Sequence, residues 1–85
     1  MRIWAKVMLN QKIKKDMVLE EAGDFDPAKF QAYLETIAYK LHIGTPIILT
    51  KHLNHFLEFN ITSFGPSDFA EVIEFDNLVI ENATR

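Results

Sequence analysis

The chain has 85 residues, of which 48% are hydrophobic and 25% charged, with a net charge of −3 and no Cys. A chain of this size buries about 64% of its surface on folding, which allows one core, and its composition excludes a disordered polymer. The missing Cys exclude disulfides, thiolate zinc sites and cysteine nucleophiles, and no apolar run approaches the ~20 residues needed to cross a bilayer.

Residues 1–85 therefore read as a single domain. In residues 2–10, Ile3, Ala5, Val7 and Leu9 alternate with Arg2, Trp4, Lys6, Met8 and Asn10, which is the pattern of a half-buried strand. Lys6 breaks the apolar stretch and no small-residue cleavage site follows, so the segment is not a secretory signal. The chain reads as intracellular and cytoplasmic. The two Asn-x-Thr triplets, at Asn60 and Asn82, then read as chance matches. Residues 11–15 are polar and basic and suit a loop, and residues 17–22 form a second strand, closing a hairpin without the Asn-Gly signature of a tight turn.

Gly23 to Asp26 break the pattern. Asp26 is a good helix N-cap and Pro27 suits the first helical position. Phe30, Tyr33, Leu34, Ile37 and Leu41 follow on one stripe, so the sequence predicts a helix over about 27–42. Lys40 and His42 complement its C-terminal dipole, Gly44 supplies a left-handed cap and Pro46 prevents continuation. Beyond it, residues 45–50 read as a strand, 51–54 as a turn and 55–64 as an alternating strand with Leu57, Phe59 and Ile61 on one side. A Gly-Pro turn at 65–68 precedes two short strands, 72–75 and 78–82, joined by Asp76-Asn77. Residues 83–85 are expected to fray.

The predicted fold is α+β in the order ββαββββ, with one helix packed on an antiparallel sheet. A small curved barrel with a helix plug is the alternative. The expected core sets Phe30, Leu34, Ile37 and Leu41 against Ile3, Val7, Ile47, Leu49, Phe59 and Ile61.

Charge is unevenly placed. Residues 1–15 hold Arg2, Lys6, Lys12, Lys14 and Lys15 and no acid. Residues 52–84 hold Glu58, Asp68, Glu71, Glu74, Asp76 and Glu81 and no Lys or Arg. Pairing of a basic first strand with acidic later strands accounts for this, as does a dipolar surface that orients a partner.

Catalytic patterns are sparse. His52, His55 and Glu58 are zinc-type ligands, but on a turn and strand their side chains would not converge, so no metal or cofactor is expected. No strand–turn–helix elbow surrounds Ser63 or Ser67. The acid pairs Glu20-Glu21 and Asp24-Asp26 lack geometry for proton transfer, and the dispersed glycines form no phosphate cradle. Two surplus surfaces point instead to protein contacts. One is an apolar sheet patch of Trp4, Met8 and Phe56, and the other a helix face of Ala28, Ala32 and Tyr39. The leading expectation is a non-enzymatic interaction module that forms a homodimer. The alternative is nucleic-acid binding through Arg2, Lys6, Lys12, Lys14 and Lys15 with Trp4 stacking on a base. A small enzyme or ligand carrier with a pocket between helix and sheet is the third.

Overall fold

The computed structural model describes residues 1–84. It is an α+β domain of four antiparallel strands and two helices, and the sheet is not closed into a barrel. In chain order the elements are β1 (Arg2–Leu9), β2 (Lys12–Glu20), α1 (Phe30–Leu41), α2 (Thr50–Phe59), β3 (Ile61–Phe64) and β4 (Asn77–Asn82), with short 3-10 turns at Pro27–Lys29 and Pro66–Asp68. The strands lie in the order β2-β1-β4-β3, so the last strand is central and pairs with both β1 and β3.

The hairpin forms as expected but turns earlier. Asn10 and Gln11 both take positive φ, 53° and 64°, and make a two-residue turn whose twist matches the flanking strands. The basic residues 12–15 are thus part of β2 and not a loop. The register slips between Val7 and Met8: Val7 opposes Lys15 and Met8 opposes Ile13, leaving Lys14 as the extra residue of a bulge.

Asp26 caps the next segment as expected, its Oδ1 accepting the Ala28 N–H at 3.0 Å. The Pro27–Lys29 turn leads into α1, which buries the predicted stripe of Phe30, Tyr33, Leu34, Ile37 and Leu41. His42, not Gly44, takes the left-handed cap, with φ 57°. His is among the non-glycine residues that tolerate that region, and Ile43 N–H then bonds Ala38 C=O at 3.0 Å.

The sequence expectation fails in the segment after α1. Residues 45–49 are irregular and not a strand, and residues 50–59, expected as a turn and strand, form α2. His52 folds back so that its Nδ1 accepts the Leu49 N–H at 2.9 Å, satisfying a donor that the first helical turn would leave open. Asn60 ends the helix at φ 60°. The expected strand at 72–75 is absent, so Asp76-Asn77 does not join a hairpin. Ala83 and Thr84 do not fray, since Ala83 N–H bonds Arg2 C=O at 2.9 Å and Arg2 N–H bonds Thr84 Oγ1 at 3.0 Å; Arg85 lies outside the described residues.

Ile3, Ala5 and Val7 of β1, Leu19 of β2, Phe64 of β3 and Leu78 and Ile80 of β4 form one core with the buried faces of α1 and α2. The expected helix face is correct, but its partners are only partly so. Ile3 and Val7 are fully buried, whereas Ile47, Leu49 and Phe59 are about half exposed and Ile61 is half-buried on the opposite sheet face. Phe56 takes their place among Phe25, Phe30 and Tyr33, with its ring centroid 5.1 Å from Phe25 and 5.7 Å from Phe30. No helix among the described residues is long and apolar enough to cross a membrane.

Candidate functional site

Side chains alternate across a strand, so packing both helices on one face of the sheet leaves the other open. By register, the open face gathers Arg2, Trp4, Lys6 and Met8 of β1, Ile13, Asp16, Val18 and Glu20 of β2, Ile61 of β3 and Val79 and Glu81 of β4. Trp4 and Met8 are half-buried, and Ile13 and Val18 are 45% and 42% exposed.

The charged groups of this face have partners within it. Trp4 Nε1–H donates to Asp16 Oδ2 at 2.8 Å. Lys6 Nζ donates to Glu81 Oε1 at 3.2 Å and lies 4.1 Å from the centroid of the Trp4 ring, a cation–π geometry. Arg2 pairs with Glu20 at 3.1 Å. Opposite charges on neighbouring strands thus absorb part of the uneven charge distribution. The resulting surface is an apolar patch in which the charged groups already have partners.

The expected sites are placed differently. Trp4 and Met8 share the open face, but Phe56 does not join them. It sits on α2 and is 1% exposed, because helical geometry turns it into the core. Tyr39 is 81% exposed on α1. Ala28 lies in the 3-10 turn before α1, so the Ala28/Ala32/Tyr39 line is not one continuous helix face. The five basic residues do not form one stripe: Arg2 and Lys6 are on the open face in ion pairs, and the register sends Lys12 and Lys15 to the helix side. Residues that the sequence reading missed are Ile13, Val18, Val79 and Ile61. The hairpin register sets Ile13 and Val18 beside Met8 and Trp4, and only the strand order brings Val79 and Ile61 to the same face.

His52 is buried beneath the Phe64 ring, at a centroid distance of 4.4 Å. Since Nδ1 accepts from the backbone, Nε2 carries the proton and points to Asp68 Oδ2 at 3.5 Å. Asp68 Oδ2 also accepts the Gly65 N–H at 2.9 Å. His55 Nδ1 lies 2.9 Å from Ile61 C=O and donates to it. His52 Nδ1 is therefore occupied in holding the start of α2, and the buried ring packs on Phe64. Among the described residues no cluster of three or more His, Cys, Asp or Glu is placed to hold a metal ion. Comparison with protein-family models, curated proteins and solved structures finds no significant match.

Proposed function

We propose that the protein is a small, non-enzymatic interaction module that self-associates through the open face of its sheet. The observation that carries this reading is the apolar surface of Trp4, Met8, Ile13, Val18, Ile61 and Val79, which no element among the described residues covers. Contiguous exposed apolar patches mark interaction sites. The ion pairs Arg2–Glu20 and Lys6–Glu81 within the face lower the cost of removing it from water, and the Asp16 carboxylate keeps the Trp4 Nε1–H as its hydrogen-bond partner.

A second copy is a suitable occupant. Cations lie on β1 and an acid on the adjacent central strand β4. A two-fold axis parallel to the strands, running between β1 and β4, sets β1 of one copy over β4 of the other. Lys6 then meets Glu81 of the partner copy as well as its own. From strand spacing and rise, the face covers ~450 Å² per copy. That places a dimer at or below the small end of specific interfaces, ~1,200 Å² in total, and implies weak association.

Sedimentation equilibrium at tens to hundreds of micromolar tests the proposal. A concentration-dependent dimer is expected. Trp4→Glu and Val18→Lys should each abolish it with unchanged circular dichroism, and Tyr39→Glu should leave it intact. A monomer throughout this range overturns the proposal, and loss of the dimer only in Tyr39→Glu moves the contact to α1.

A further inference from the structure

A second feature lies on the helix side of the sheet and shares no residue with the open face. Between the β2 bulge, the segment after α1 and the 69–76 connection opens a cleft of about 420 Å³. That volume falls in the ~300–1,000 Å³ range of ligand sites. Its apolar part includes Phe69 and Phe75, packed edge to face at 5.5 Å, together with Ile43. Lys14 and Lys15 line it from β2, and Glu71 and Glu74 from the 69–76 connection. None of these four charges joins the ion pairs found among the described residues. Lys15 is half-buried, which concentrates its field on the cleft.

The backbone of the lining adds a second kind of contact that a ligand can use. Phe69 N–H bonds Pro66 C=O and Asp76 N–H bonds Met8 C=O, but residues 70–75 between these anchors make no backbone–backbone hydrogen bond. Gly44 and Thr45, which also line the cleft, make none either. Most of these residues are exposed, so water meets their donors and acceptors in the free chain, and a ligand backbone can take its place. A partner able to use a run of them is itself an extended backbone, as when a peptide adds to a sheet edge.

We propose that this cleft binds an extended peptide segment in which an apolar side chain lies between one acidic and one basic residue. The apolar side chain rests on Phe69 and Phe75, the acid meets Lys14 and Lys15, and the base meets Glu71 and Glu74. Peptide backbone pairs with residues 70–75. A uniformly acidic or basic segment leaves one set of charges opposed, and a segment without the apolar residue leaves the floor wet.

The test is an NMR titration of the isotope-labelled chain with acetyl-Gly-Glu-Leu-Lys-Gly-amide and its reversed-charge isomer acetyl-Gly-Lys-Leu-Glu-Gly-amide. Saturable amide shifts are expected for residues 43–45 and 70–75 with at least one of the two. Replacing both charges by Lys, or both by Glu, should weaken binding about two- to fivefold, the size of one exposed ion pair. Replacing Leu by Gly should weaken it similarly. The Lys14→Gln/Lys15→Gln double variant should lose the same factor while its spectrum elsewhere is unchanged. Absence of saturation, shifts confined to the Trp4 face, or equal affinity for all the peptides overturns the proposal. Repeating the titration on Trp4→Glu separates it from self-association, because a peptide site on the helix side survives loss of the dimer.

Discussion

Gln11 is the residue whose type fits its backbone least well. It holds φ at 64°, next to Asn10 at 53°. Asn tolerates the left-handed region through local hydrogen bonding, whereas a Gln there carries a steric cost of roughly 1–2 kcal/mol. Glycine removes the cost but widens the unfolded ensemble. Gln11→Gly is therefore expected to stabilise the chain by about 0.5–1 kcal/mol, read as a higher urea midpoint at constant slope. A lower midpoint would show that the Gln11 side chain contributes packing that outweighs the strain. His52 makes the opposite case. It was a candidate zinc ligand by residue type, yet its ring caps α2, stacks under Phe64 and faces Asp68. Losing a cap and a buried ring together should cost about 2–4 kcal/mol in His52→Ala. His55→Ala, at an exposed position, should cost less than about 1 kcal/mol. Equal effects in denaturant titrations would contradict the capping role.

At the scale of elements, α2 separates what local pattern can decide from what it cannot. In residues 55–64 the spacing of Leu57, Phe59 and Ile61 suits a strand. Leu53, Phe56 and Leu57 equally suit a helix. The two readings place Phe56 on opposite sides, and the structure buries it in the aromatic cluster. Phe56→Ala should therefore cost about 3–5 kcal/mol. Ile47, expected in the core by the strand reading, is 50% exposed, and Ile47→Ala should cost under about 1 kcal/mol. Thermal and denaturant unfolding of the two variants distinguishes the alternatives, and the reverse ranking would restore the strand. The helix α1 had no such ambiguity, because Asp26, Pro27 and the stripe from Phe30 to Leu41 agree on one period and one start.

For the whole molecule, packing of α1 and α2 on the same face leaves the sheet covered on one side only. The chain has one Trp, and it lies on the open side, so it reports on whatever covers that side. If two copies stack there, Trp4 emission should shift to shorter wavelength as concentration rises through the range in which sedimentation detects the dimer. The shift should be absent in Val18→Lys. An emission maximum independent of concentration, alongside a dimer in sedimentation, would place the interface elsewhere.

Trp4 and Met8 were legible as outward-facing from the alternation of β1, because period two within a single strand is a local property. The β1–β2 hairpin and α1 were legible for the same reason. Local pattern carries no information about which strand lies beside β1 on its other edge. The pairing of Lys6 with Glu81, 75 residues apart, and the placing of Val79 and Ile61 on the same face as Trp4 exist only once β4 inserts between β1 and β3. The placement of residues 50–59 was decided in the same way: Phe25, Phe30 and Phe64 come from segments outside the helix, and their contacts with Phe56 and His52 favour the helical period over the strand period that the sequence also permits. Local signals that agree with one another were enough for β1, β2 and α1; where two periods competed, tertiary packing chose between them, because burial of Phe56 and His52 stabilises one and local propensity differs too little to choose.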